Sequence, residues 1–149
     1  HKGLIKDDDI TLKVNETTTI KDLAKGNYIH TCSAIFRNKL DGLLSDYFKE
    51  APVGDYFLLL LIARSGKIKC LEDVMGVYRV HADSMWSSRT EKERVLVWVP
   101  FLKKIKCYFD KETQSILDGQ IRYYSNKIST RDFKWYVKAI KRKVNKWMS

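Results

Sequence analysis

Apolar residues fill every position from Tyr56 to Ala63, with Gly54-Asp55 before the run and Ser65-Gly66 after it. Flanks of this kind open and stop a helix, so Asp55–Arg64 is expected to be helical. A helix that is apolar on all sides offers no face to water and is expected to lie buried against a sheet. Leu4–Val14 places two β-prone runs around Asp7-Asp8-Asp9 and predicts a hairpin. Thr18 or Thr19 is placed to cap a short helix over Ile20–Ala24, stopped by Lys25-Gly26-Asn27. Tyr28–Arg37, rich in β-branched and aromatic residues, predicts a strand. Leu40–Lys49 reads as a short helix or turn ended by Pro52. Lys67–Leu71 and Val74–Arg79 predict two further strands joined through Glu72-Asp73. From Thr90 onward only helical periods remain: Glu91–Phe109, with a kink expected at Pro100, then Glu112–Ile128 and Arg131–Met148. Strand, helix and strand in this order predict an α/β fold with a mixed sheet over residues 1–88. An all-helical extension over residues 89–149 follows, with the boundary near Ser88.

Composition narrows the class. At 149 residues and 44% hydrophobic content the chain can bury a core, and its few glycines and prolines exclude a fibrous or disordered protein. Its all-apolar stretch Phe57–Ala63 is far shorter than the ~20 residues that cross a bilayer. No secretory leader is visible in the sequence. The chain begins at His1, and further sequence is expected before it. Cys32, Cys70 and Cys107 are odd in number and widely spaced, without a CxxC or Cys/His cluster. They are expected to be reduced, buried thiols. The net charge of +10 is uneven: residues 1–100 carry 15 Lys/Arg against 14 Asp/Glu, residues 101–149 carry 13 against 4. The excess therefore belongs to the final third. It marks a solvated helical face, or an anionic partner such as a membrane surface or nucleic acid.

Candidate chemistry starts at Asp55. An aspartate in a first helical turn accepts backbone N–H groups and complements the dipole, worth about 1 kcal/mol, and this capping role is the plainer reading. The same carboxylate, rigidly aimed and preceded by a glycine that admits close approach, is also the pattern of a general base. Alternation puts Arg79 and His81 on one face at the end of their strand, where a surface arginine and a satisfied histidine are the ordinary outcome. Thr31, Ser33 and Arg37 share one face of the Tyr28–Arg37 strand, plainly a polar sheet face. Trp86 reads equally as core or as the anchor of a mobile loop.

Three blocks, GNYIHTCSAIFRN (26–38), VGDYFLLLLIARSGKIK (53–69) and VMGVYRVH (74–81), resemble in order and spacing the acceptor-side half of bacterial family 2 nucleotide-sugar glycosyltransferases. The resemblance covers about residues 18–88 and implies the second half of a GT-A fold. It implies that Asp55 is the catalytic base, deprotonating an acceptor sugar hydroxyl that attacks the anomeric carbon and inverts it. It places Arg79, His81 and Trp86 on the donor-diphosphate side, with His81 near or on a divalent cation, Mg or Mn. Thr31, Ser33 and Arg37 would line the acceptor cleft. The family follows this histidine with glycines and then Trp-Ser. Here Ala82-Asp83-Ser84-Met85 stand before Trp86-Ser87.

Family 2 enzymes hold their cation through Asp-x-Asp, which Asp7 and Asp9 match literally. Their place in a hairpin, without a buried strand before them and too near Asp55, makes them a turn. The main metal ligands and the nucleotide-binding half are expected outside this chain, which alone would be inactive. The expected partners are a nucleotide-sugar donor and a glycan or lipid-linked acceptor in cell-surface polysaccharide synthesis. The last helix, apolar along Phe133, Val137, Ile140, Val144 and Met148 and basic opposite, reads first as a packed helix with a solvated lysine face. Peripheral contact with anionic lipid at the inner face of the membrane is its second reading. The rival to an enzyme is a basic module binding nucleic acid or a membrane surface without catalysis. For nucleic acid the chain lacks the zinc, glycine-loop and aromatic strand motifs.

Overall fold

The computed structural model describes residues 14–38, 40, 44, 46–73, 75–76, 86 and 88–128. The expected helix Arg131–Met148, nearly all of the hairpin Leu4–Val14 and most of the strand Val74–Arg79 lie outside them.

The structure is mixed α/β, mostly helical, with a small two-stranded antiparallel sheet. In chain order the elements are β1 (Thr17–Thr18), α1 (Ile20–Leu23), α2 (Asp46–Glu50), α3 (Gly54–Ala63), β2 (Ile68–Lys69), α4 (Glu91–Ile105) and α5 (Lys111–Ser125). Thr17 faces Lys69 and Thr18 faces Ile68 across the sheet. One more bond, Cys70 N–H to the Glu16 carbonyl at 2.8 Å, extends the ladder.

Local chemistry accounts for the helix ends. The Thr19 amide and hydroxyl both donate to Asp22, at 3.0 and 2.9 Å, tying the start of α1. Thr90 and Glu93 exchange the reciprocal bonds of a capping box at α4. Asp110 receives the amide of Thr113 at 2.9 Å and its hydroxyl at 3.0 Å, which caps α5. Pro100 does not end α4, which runs on to Ile105 and tightens into a 3₁₀ turn over Lys106–Tyr108.

One core joins these helices. Leu23 and Ala24 from α1, Tyr56, Phe57, Leu60 and Leu61 from α3, Trp98, Val99, Phe101, Leu102 and Ile105 from α4, and Leu117 and Ile121 from α5 form a single buried cluster. The anticipated boundary near Ser88 thus separates segments whose side chains share one core. On α5 the buried positions Thr113, Leu117, Gln120 and Ile121 repeat at helical spacing.

Two expectations are corrected here. α3 is buried against helices rather than a sheet: Phe57 packs on Tyr47 and Phe48 around α2 and on Tyr108 and Phe109 before α5. With a sheet of two short strands, aromatic side chains from flanking helices supply the apolar surface that α3 requires. Tyr28–Arg37 is not a strand. It is irregular, with a 3₁₀ turn over Thr31–Ser33. Side chains close local turns there, Asn27 accepting from the Ile29 amide and the Ser33 hydroxyl donating to the His30 carbonyl. Such bonds compete with a ladder, and β-prone residues without a paired neighbour do not hold one.

Candidate functional site

Asp55 is half-buried in the first turn of α3. Val53 precedes the helix and offers no side-chain acceptor, so the carboxylate of Asp55 takes up an otherwise orphaned donor. Its Oδ1 accepts the Tyr56 amide at 2.8 Å. Its Oδ2 accepts the hydroxyl of Thr31 at 2.6 Å, from 24 residues earlier in the chain. Among the described residues each oxygen is thus held by one donor. A Cβ built on Gly54 would meet nothing within 4 Å, so the helix surface at Gly54 is open.

A third segment reaches the same neighbourhood. Gly76 lies against Cys32, and a Cβ built on it would sit 3.5 Å from the Cys32 carbonyl oxygen. Segments around 31–32, 54–56 and 75–76 are therefore brought together, the first two through the Thr31–Asp55 bond and the first and last through Cys32 and Gly76. Exposed apolar side chains flank this meeting point in the chain: Ile35 and Phe36 after the 3₁₀ turn, Leu71 and Met75 before Gly76.

Of the residues expected in the acceptor cleft, Thr31 alone bonds to Asp55. The Ser33 hydroxyl is turned to the His30 carbonyl at 2.9 Å, and Arg37 is exposed farther along the segment. The common face expected for Thr31, Ser33 and Arg37 is absent because the strand that would create it does not form. Trp86 is half-buried, its ring 5.8 Å from that of Trp98 and covered by the Arg89 guanidinium at 5.9 Å. The tryptophan is therefore packed on the core side of α4. Arg79, His81 and Asp7-Asp8-Asp9 lie outside the described residues. Among the described residues no three His, Cys, Asp or Glu side chains come together as metal ligands. No described helix is long and apolar enough to cross a membrane. The three cysteines, expected to be buried, are all exposed. Cys32 and Cys107 sit in 3₁₀ turns and Cys70 just past β2, places where the backbone runs over the surface.

One group of polar residues was not singled out from the sequence. Gln120 is buried, and its side-chain amide donates to the Ala24 carbonyl and, at 3.2 Å, to the Tyr56 hydroxyl. Its oxygen accepts the Trp98 indole N–H at 3.1 Å, while the Tyr56 hydroxyl donates to the Leu23 carbonyl at 2.9 Å. Burial pushes the Tyr56 hydroxyl well above the ordinary tyrosine range, with the Gln120 bond acting in the opposite sense, so it stays protonated and can donate. A signal for Gln120 did exist: it is a polar residue on the apolar period of α5, where an unpaired amide would be costly.

Comparison with protein-family models, curated proteins and solved structures finds no match to this chain.

Proposed function

We propose that this chain is the acceptor-binding half of an inverting, family 2-like nucleotide-sugar glycosyltransferase with a GT-A fold, and that Asp55 is its general base. The observation that carries the reading is the meeting of the three resembling blocks: Thr31 bonds to Asp55, and Gly76 lies against Cys32. These blocks are far apart in sequence, and a carboxylate used only as a cap has no need of the other two.

In the proposed reaction the acceptor hydroxyl gives its proton to an Asp55 oxygen as its own oxygen bonds to the anomeric carbon of the donor. The bond from that carbon to the diphosphate breaks on the opposite face, and its electron pair leaves with the diphosphate, so the configuration inverts. The Thr31 hydroxyl and the Tyr56 amide hold the carboxylate in one direction while its charge is discharged.

A divalent cation, when bound, offsets charge building on the diphosphate. Among the described residues no cluster of ligands is placed to hold one. By resemblance the diphosphate side belongs to Arg79, His81 and Trp86 and to sequence outside this chain. The same reading sets the reaction in the cytoplasm, against the inner face of the membrane where the acceptor is lipid-linked.

The chain can be titrated with methyl glycosides of common hexoses while backbone amide signals are followed. Binding on this reading moves the signals of Thr31, Asp55, Tyr56 and Gly76 together. Saturable binding elsewhere that leaves those four in place, or no response at tens of millimolar, would overturn it.

A further inference from the structure

Tyr56 is the residue after Asp55, and everything that fixes its side chain also fixes how α3 is turned about its own axis. Successive helical residues are rotated by about 100°, so immobilising the ring of one sets the direction of the next. The Tyr56 ring is fully buried and stacks on Trp98, with centroids 5.0 Å apart and planes inclined by 29°. Stacking alone restricts the ring without choosing one angle. The hydroxyl adds the choice, because it gives its proton to Leu23 and receives one from Gln120.

The Gln120 amide has only one consistent orientation. An indole N–H can only donate, so the atom facing Trp98 must be the amide oxygen. The amide nitrogen then faces the Ala24 carbonyl and the Tyr56 hydroxyl, both able to accept. Four elements are locked by this set: the end of α1 through two carbonyls, α3 through Tyr56, α4 through Trp98 and α5 through Gln120. The links span 33, 22, 96 and 64 residues of chain, so none is a by-product of local geometry.

We infer that Gln120 is a positioning residue for Asp55, acting through Tyr56, and that α4 and α5 are a clamp on the helix that carries the carboxylate. The functional weight of this inference rests on the reading of Asp55 as the base; its physical content does not. It also gives the helical pair a task within the transferase half, in place of a separately attached module.

Hydrogen exchange measured residue by residue on the 149-residue chain tests it. In Gln120→Met, the amides of Tyr56 and Phe57 are expected to exchange about tenfold faster relative to those of Phe101 and Leu102 in α4. The Tyr56 amide proton, which donates to Asp55, should also move upfield as that bond lengthens. Leu117→Ala removes buried packing from the same helix without touching the polar set, and is expected to leave the ratio between α3 and α4 unchanged. Should Gln120→Met not fold, Tyr56→Phe keeps the stacked ring, deletes the hydroxyl and is expected to show the same selective change. Equal acceleration throughout α3, α4 and α5, or none in the first turn of α3, would overturn the clamp. Because no catalysis is measured, either result leaves the role of Asp55 to be judged separately.

Discussion

Replacing Gln120 with leucine is expected to lower stability by about 3 kcal/mol. The side chain is nearly fully buried and serves three partners. Leucine leaves the Trp98 indole N–H and the Ala24 carbonyl without partners, while the Tyr56 hydroxyl retains Leu23 as its acceptor. Each orphaned buried group costs about 1–3 kcal/mol, so two cost roughly 4. The added apolar burial of leucine offsets about 1 kcal/mol of that. A protein of this size loses about 2–4 °C of melting temperature per kcal/mol, which makes the expected drop about 10 °C. Urea unfolding followed by tryptophan fluorescence measures the loss directly. The midpoint should fall with an unchanged slope, since the same surface is exposed on unfolding. A loss below about 1 kcal/mol would refute the reasoning, because water or a side-chain rotation would then be satisfying the orphaned groups.

Three further outcomes follow from the same geometry. Gly119 lies inside α5, and a Cβ there would meet nothing within 4 Å, so Gly119→Ala should stabilise by about 0.5–1 kcal/mol in the same urea experiment. Asp110→Ala removes the cap of α5 and should cost about 1 kcal/mol at neutral pH. The Thr113 amide, and then its hydroxyl, hold the Asp110 carboxyl below the ordinary aspartate value of 3.8. Its stabilisation is therefore complete above that value and is lost as pH falls through the lower folded value. Unfolding at pH 3 and pH 7 should accordingly show a smaller acid-induced loss in Asp110→Ala than in the wild type.

Much of the helical frame is legible in the sequence because its signals are local. The cap at Thr19 acts within a single turn, so its spacing suffices to place it, and the Thr90/Glu93 box and Asp110 cap are signals of the same local kind. The helix opened at Gly54 is legible for the same reason. Tyr28–Arg37 is misread because strand propensity records packing against a neighbour, and among the described residues only two short strands pair. The packing of α3 is misread because an all-apolar helix states that it is buried without stating what covers it. Thr31 reaches Asp55 by a route its sequence does not announce: a 3₁₀ turn, not strand alternation, brings its hydroxyl to the carboxylate. Gln120 and Tyr56 meet across 64 residues, a distance over which no spacing rule operates. Exposure of the cysteines is likewise a property of the turns around them rather than of the residue type.

The proposed base role of Asp55 is tested most directly by Asp55→Asn in a protein that joins this chain to the donor-binding half the proposal calls for. Asparagine keeps the shape and an acceptor for the Tyr56 amide, so the change in folding stability should be no more than about 1 kcal/mol, the scale of a first-turn charge on a helix. The rate of sugar transfer should fall by about 10²–10⁴. Loss of that size in a protein that remains folded is the predicted result. Transfer at the wild-type rate by Asp55→Asn would leave the carboxylate a helix cap and nothing more.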